Sequence, residues 1–94
     1  MNLEWSLLAI EDRDRIFDYI AQDDPEAAVR VDEGIEKQIE QLIHSPQAGR
    51  QGRITGTREL IIARTPYIAA YKIQGNTIRV LRVLHGARLW PDTF

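Results

Sequence analysis

The stretch YIAAYKIQGNTIRVLRVLH, residues 67–85, is the segment from which the sheet is predicted. Two runs rich in β-branched and aromatic residues, Tyr67–Ile73 and Thr77–His85, flank a Gln-Gly-Asn turn, and this pattern predicts a β-hairpin. The second run is the most apolar of the strands, so we place it at the centre of the sheet. The preceding run, Arg58–Arg64, predicts a third neighbouring strand.

Two helices are predicted in the N-terminal half. Residues Asn2–Ser6 alternate apolar and polar side chains, which is typical of a short strand. An amphipathic pattern over Leu8–Gln22 then predicts a helix of about four turns. After a break, Asp24 supplies an N-cap for a second helix, Pro25–His44. Because the connection is short, we expect the two helices to pack as an antiparallel hairpin.

The order β-α-α-β-β-β predicts one α+β domain over residues 1–94. In this fold an N-terminal strand and an antiparallel helical hairpin pack with a small antiparallel β-sheet. Residues Gln47–Thr57 are rich in glycine and arginine and are predicted to form a loop. Residues Ala87–Phe94 form a tail after the last strand. A chain of 94 residues has room for a single domain.

The composition excludes several classes of function. The chain has no cysteine, which excludes disulfides, thiol catalysis and cysteine-ligated metals. No apolar run is long enough to span a membrane, and the N-terminus lacks the basic start of a secretory signal. The two histidines, His44 and His85, lie far apart in sequence and make a poor metal site. We therefore expect a cytoplasmic protein with no membrane contact, no metal and no cofactor.

The net charge of -2 hides a strong asymmetry. Residues 1–47 carry twelve acidic and four basic side chains, whereas residues 48–94 carry two acidic and eight basic ones. Seven of those eight are arginine, which is favoured over lysine in planar recognition of anions. The second half therefore predicts an anionic partner, either nucleic acid or an acidic protein segment. The twelve acids of the first half are expected on solvated helix faces.

The candidate binding residues lie on the predicted strands and the tail. Alternation places Arg79 and His85 on one face of the last strand and Arg82 on the other. An open face or rim with arginines, the tyrosines Tyr67 and Tyr71 and a histidine can hold a phosphate backbone and stack a base. The alternative is a set of strand-edge charges and half-buried aromatics. The candidate residues for binding an anion or a target are Arg58, Arg64, Tyr71, Arg79, Arg82, Arg88 and Trp90.

His85 is the candidate catalytic residue. It ends the last predicted strand, next to Gly86 and close to Arg88. A histidine in this place can act as a general acid or base while an arginine stabilises a phosphate transition state. The alternative is a histidine that only hydrogen-bonds the tail or a partner.

A set of motifs runs along nearly the whole chain in a specific order. They are Trp5 in the opening strand, Asp18-Tyr19-Ile20-Ala21, Asp24–Ala28, Ser45-Pro46, Gly49-Arg50, Arg58-Glu59-Leu60, Tyr67-Ile68 with Tyr71, and Ile78–Pro91. Together they resemble the RelE/ParE superfamily of toxins from bacterial type II toxin–antitoxin modules. The resemblance implies the same fold as the pattern analysis, a helical hairpin on a small antiparallel sheet.

The superfamily has two branches with different targets. RelE-like toxins are ribosome-dependent endoribonucleases that cut mRNA, and they typically carry an arginine three residues before a strand tyrosine. Here Ile68 stands three residues before Tyr71. ParE-like toxins are known for poisoning DNA gyrase, and the segments Arg58–Leu60 and His85–Arg88 look more like this branch. The resemblance therefore favours a non-catalytic gyrase inhibitor; the alternative is a metal-free endoribonuclease with His85 as its acid or base.

Both branches imply a cognate antitoxin as partner. Its C-terminal segment is expected to fold on binding, to pair acidic residues with the arginine-rich half, and to form a hetero-oligomer with the toxin. The charge asymmetry then needs no enzymatic activity. A third interpretation is a partner-binding module that has lost its toxicity.

Overall fold

A computed structural model describes residues 1–94, and its elements follow the order expected from the sequence. The elements are β1 (Asn2–Trp5), α1 (Leu7–Ala21), α2 (Pro25–Glu40), a short 3-10 helix (Gln41–Ile43), β2 (Arg50–Gln51), β3 (Arg58–Ile61), β4 (Tyr67–Gln74) and β5 (Thr77–His85). The α+β class is confirmed. Strand β2 is an addition, since it lies within the segment that was predicted to be a loop.

Side-chain caps fix where both helices begin. The Ser6 hydroxyl accepts a hydrogen bond from the Ala9 amide at 3.0 Å. The Asp24 carboxylate accepts one from the Ala27 amide at 3.1 Å, and Pro25 follows at the first helical position, as predicted. The caps satisfy amides that have no partner within the helix, so each helix starts at a defined residue.

The sheet is mixed, with the strand order β1-β5-β4-β3-β2. Strands β2 to β5 pair antiparallel, whereas β1 runs parallel to β5. The prediction of a wholly antiparallel sheet is therefore wrong for β1, because alternation of side chains carries no information about strand direction. Strand β5 lies inside the sheet between β1 and β4, but the middle position belongs to β4 and not to β5 as predicted.

A β-bulge in the last hairpin changes which side chains share a face. Ala70 pairs with Arg82 while the next residue, Tyr71, pairs with Val80, so Leu81 has no partner opposite it. The bulge lets Val80 and Val83 both enter the core beneath the helices. The strict alternation predicted for this strand is therefore interrupted at one residue.

The two faces of the sheet carry separate apolar clusters. The larger core lies under the helices and includes Tyr67 and Tyr71. The prediction that these tyrosines lie on an open face is therefore wrong. The opposite face carries a small cluster of Ile68, Ala70 and Trp90, so the C-terminal tail covers part of the face that the helices leave free.

Tyr71 ties the loop after α2 to the sheet. Its buried hydroxyl donates to the Pro46 carbonyl at 2.7 Å and accepts from the Gly49 amide at 2.9 Å. A Cβ atom at position 49 would lie 2.6 Å from this hydroxyl oxygen, so the close approach requires glycine. Tyr71 therefore orders the loop from inside the core.

A buried carboxylate joins α1 to β5. Asp12 is only 4% exposed, and its oxygens accept from the Arg82 guanidinium at 2.8 and 3.0 Å and from the Val83 amide at 2.9 Å. The prediction that the acids of the first half lie on solvated faces is wrong for Asp12. Its charge is satisfied by a bidentate partner and a backbone donor, which burial requires.

Replacement of Asp12 with asparagine is expected to lower the free energy of unfolding by about 3 kcal/mol, because it leaves the largely buried Arg82 charge without its partner. Urea denaturation followed by circular dichroism measures the change. Asp14→Asn on the same helix removes an exposed carboxylate and is the control, with an expected change below about 0.5 kcal/mol. Equal losses in the two variants would contradict the structural role of Asp12.

Candidate functional site

A groove lies between α1 and the end of β5. It has a volume of about 370 Å³. Its lining residues are Asp12, Arg15, Ile16, Tyr19, Tyr67, Arg82, Val83, Leu84, His85 and Arg88. The groove exists because β1 ends at Trp5, so the last part of β5 has no strand beside it. Three of the predicted site residues, Arg82, His85 and Arg88, therefore come together here.

His85 is held in a defined orientation at the end of the groove. Its ring packs edge-on against Tyr67, with centroids 5.7 Å apart and an interplanar angle of 84°. Its Nδ1 accepts a hydrogen bond from the Ala87 amide at 3.1 Å. A nitrogen that accepts carries no proton, so the ring proton of neutral His85 lies on Nε2. Nε2 is therefore the atom that can exchange a proton with a ligand.

The arginines of the groove differ in their availability. Arg82 donates from Nε and Nη2 to the two oxygens of Asp12, and these hydrogen bonds raise the pKa of Arg82. Arg15 lies 3.7 Å from Asp12 and 3.8 Å from Glu11, so it shares their charge. The Arg88 side chain is exposed and makes no hydrogen bond or ion pair, although its amide donates to the His85 carbonyl at 3.1 Å. Arg88 is therefore the cation of the groove most free to bind an anion.

The other five candidate residues lie elsewhere. Arg58 donates to the Gly49 carbonyl at 2.9 Å, and Arg79 pairs with Glu4 at 3.0 Å near the start of β5. Arg64 is exposed in the turn after β3. Tyr71 is fully buried, and Trp90 is covered on the far face of the sheet. Their predicted binding roles remain predictions, but these residues do not form one site with His85.

A second polar cluster locks the tail to the glycine-rich loop. Glu59 is 3% exposed and accepts from Arg50 at 3.1 Å and from both the amide and the side chain of Arg53 at 2.8 and 3.1 Å. The Arg53 guanidinium also stacks 3.7 Å over the Trp90 ring. Burial by itself would raise the pKa of Glu59, but the hydrogen bonds from the two arginines outweigh it and lower the pKa below 4.5.

Sequence reasoning missed both buried acids. Asp12 stands four residues after Leu8 and four before Ile16, so a carboxylate interrupts the apolar stripe of α1. That interruption was a usable signal of a buried charge. Glu59 had no comparable signal, because its burial depends on two arginines from the neighbouring loop.

The groove can bind and orient an anion but offers few groups for catalysis. His85 is the only histidine in its lining, and Arg88 is its only cation without a side-chain hydrogen bond or ion pair. Ile68, which stands three residues before Tyr71, packs under Trp90 on the opposite face of the sheet. No three His, Asp or Glu side chains come together as a metal site would need, and neither helix has the length and apolar composition of a membrane span.

Replacement of Glu59 with glutamine is expected to flatten the acid dependence of stability. Because the folded-state pKa of Glu59 is lowered, its contribution is complete above 4.5 and disappears as the pH falls through the lower value. Urea unfolding at several pH values down to about pH 3 should show a smaller loss for Glu59→Gln than for the wild type. Glu33→Gln, which removes an exposed carboxylate, should follow the wild-type curve.

Comparison with known proteins places the chain in a family. Residues 3–90 match the family model described as ParE toxin of type II toxin-antitoxin system, parDE. Y4kP of Sinorhizobium fredii is 42% identical over 90 residues, which cover 96% of this chain and 93% of that protein. Toxin RelE2 of Caulobacter vibrioides is 33% identical over 90% of this chain and 94% of its own length.

Solved structures show the same fold. The structure titled "Chromosomal ParDE TA system from P. aeruginosa" superposes with a TM-score of 0.82 at 31% identity and covers 88% of this chain and 92% of the other. The YoeB dimer of Staphylococcus aureus superposes with a TM-score of 0.57 at 17% identity over 87% of this chain and 92% of that one. That likeness concerns the fold alone. The family model and the relatives together show that this chain belongs to the ParE toxin family of type II toxin–antitoxin systems.

Proposed function

We propose that this protein arrests bacterial growth by inhibiting DNA gyrase and that a cognate antitoxin neutralises it. The match to the ParE family over residues 3–90 supports this target, as does the similarity to the ParDE system of P. aeruginosa. The protein then acts in the cytoplasm, where its target works on DNA. No bond of the target needs to be broken, so the activity is inhibition by binding.

The pairing of the arginines in the groove and the surroundings of His85 favour binding over catalysis. Of its three arginines, Arg82 is bound to Asp12 by two hydrogen bonds and Arg15 lies beside two carboxylates. Only Arg88 is unpaired, and the acid or base beside His85 is Tyr67, whose pKa is raised by burial, so that it is a poor proton-transfer partner near neutral pH. General acid–base cleavage of RNA calls for one group to take a proton and another to give one. The groove therefore suits recognition better than catalysis.

The C-terminal tail is the proposed contact with gyrase. Leu89 is 100% exposed and Arg88 beside it is unpaired. Trp90 is fixed by a hydrogen bond from its Nε1 to the His85 carbonyl at 3.1 Å and by the Arg53 stack. An exposed apolar side chain and a free cation on a fixed segment are suitable for insertion into a protein target.

The antitoxin is the second proposed partner. The structure of YoeB–YefM from Staphylococcus aureus is titled as a heterotetrameric toxin–antitoxin complex, and the P. aeruginosa structure is titled as a ParDE system. We propose a hetero-oligomer of the same kind here. The excess of arginine in residues 48–94 favours an acidic antitoxin segment.

The alternative function is that of a RelE-like mRNA endoribonuclease. The observation in its favour is His85, whose Nε2 is available beside the unpaired Arg88 in the groove. Two relatives from Caulobacter vibrioides carry the name RelE, at 33% and 31% identity. In this case His85 would act as acid or base and Arg88 would bind the phosphate.

Synthesis of DNA is expected to stop before synthesis of protein when the chain is induced in bacteria without its antitoxin. Pulse labelling with thymidine and with an amino acid follows the two processes separately. Purified protein should also inhibit supercoiling by gyrase. Arrest of protein synthesis first, with cuts in ribosome-bound mRNA, would overturn the gyrase proposal in favour of the ribonuclease.

Replacement of His85 with alanine is expected to leave inhibition of gyrase within about twofold of the wild type, because no proton transfer is needed. Leu89→Ser should weaken inhibition by about tenfold, since it removes a fully exposed apolar contact without disturbing the core. Supercoiling assays with both folded variants measure this difference. Loss of toxicity in His85→Ala together with retention in Leu89→Ser would reverse the assignment.

A further inference from the structure

The edge of β5 beside the groove is only partly filled. Strand β1 pairs in parallel with β5 as far as Trp5 opposite Val80, and the Ser6 amide then donates to the Val80 carbonyl at 2.9 Å. Beyond this point the chain turns into α1. The edge of β5 that follows therefore depends on other groups to satisfy its amides and carbonyls.

Beyond the end of β1, two side chains make the hydrogen bonds to β5 that a further strand residue would make. The Ser6 hydroxyl donates to the Leu81 carbonyl at 2.8 Å, and the Asp12 carboxylate accepts from the Val83 amide at 2.9 Å. A residue of a parallel strand placed opposite Arg82 would supply the same donor and the same acceptor. The side chains of Ser6 and Asp12 thus continue the parallel hydrogen-bond pattern of β1 and β5 by one position.

The position after this one is open. The Tyr67 carbonyl accepts from the Ile62 amide, and the Tyr67 amide donates to the Thr65 hydroxyl. Both backbone groups of Tyr67 therefore point toward β3 and away from β5. Its partner His85 therefore turns its amide away from β4, and so does Val83 two residues earlier. No group of the protein bonds the Val83 carbonyl or the His85 amide. One residue of a parallel strand opposite Leu84 would satisfy both.

The walls of the groove define which chain fits this open position. Ile16 and Tyr19 of α1 and Tyr67 of β4 contribute apolar surface to the groove. The lining carries three arginines against a single carboxylate, so it attracts negative charge. A phosphate can accept from the His85 amide but cannot donate a hydrogen bond to the Val83 carbonyl. A peptide backbone offers both a donor and an acceptor.

We propose that an extended acidic segment of the antitoxin adds to this edge of β5 and runs parallel to it, in line with β1. One of its residues bonds to the Val83 carbonyl and the His85 amide, and a neighbouring carboxylate pairs with Arg88. The inference rests on the proposed function for the identity of the occupant. The position of the segment is inferred from the hydrogen-bond pattern along β5 that β1, Ser6 and Asp12 form and that stops before the Val83 carbonyl.

Amide hydrogen exchange by NMR tests the position. The probe is the antitoxin whose co-expression restores growth, purified in complex with the ¹⁵N-labelled chain. In the free protein the Val83 amide, already bonded to Asp12, should exchange slowly and the His85 amide quickly. In the complex the His85 amide should slow by about tenfold or more while Val83 changes little. An unchanged His85 amide in a stable complex would overturn the inference and leave the proposed function intact.

Charge reversal tests the contact with Arg88. Arg88→Glu should weaken antitoxin binding by about tenfold or more, whereas Arg30→Glu, which reverses an exposed charge on α2, should weaken it less than threefold. Titration calorimetry measures both affinities. Equal losses of antitoxin affinity in the two variants would overturn the inference. It would also be overturned if the His85 amide became protected from exchange without antitoxin. Such protection at high protein concentration would indicate a second copy of the chain, and protection by an added short RNA would indicate a nucleic-acid ligand. Failure of any antitoxin to bind would instead reject the proposed function.

Discussion

The carboxylate of Asp12 is the constraint on which the arrangement of helices and sheet depends. It lies on α1, is almost fully buried, and receives two hydrogen bonds from Arg82 and one from the Val83 amide. Apolar contacts between a helix and a sheet allow sliding, whereas a buried charge is satisfied in one register only. The same carboxylate also covers the edge of β5 where β1 ends. Asp12 therefore fixes the helix and shapes the groove together.

Most of the arginines in the second half serve the fold. Arg79 and Arg82 pair with carboxylates of the first half, and three others bind Glu59 or the loop carbonyls; these three are Arg50, Arg53 and Arg58. Of the seven arginines, only Arg64 and Arg88 have no partner within the protein. Five of the seven arginines are therefore engaged inside the protein, two with carboxylates of the first half and three within the second half. The part that remains for a partner is small and localised.

The groove connects this architecture to a toxin of the ParE family. Its free cation Arg88, its oriented His85 and the open edge of β5 lie within a few residues of each other in sequence. The exposed Leu89 follows directly in the tail. One short segment thus contains both the site proposed for the acidic antitoxin segment and the contact proposed for gyrase. Binding of an antitoxin at the β5 edge would bring it close to the proposed gyrase contact, so that neutralisation and inhibition compete for neighbouring surfaces.

Most secondary-structure elements of this protein are predictable from local sequence. Periodicity, caps and turn residues such as Asp24, Pro25 and Gly75 act over a few residues, so both helices and the last three strands followed from local patterns. The α+β class and the family resemblance came from their order. The candidate site followed only in part, since His85 and Arg88 were identified as neighbours while five other candidate residues proved to lie apart.

The direction of β1, the bulge at Leu81 and the partners of the buried acids depend on tertiary packing and were not predictable from local sequence. Asp12 and Arg82 are 70 residues apart in sequence, and the residues around either one do not indicate that the two will pair. The bulge changes the face of the residues after it, so alternation was a wrong guide at the place where the groove forms. These features depend on packing between segments that are distant in sequence. A local sequence pattern holds no information about which distant segment will pack against it.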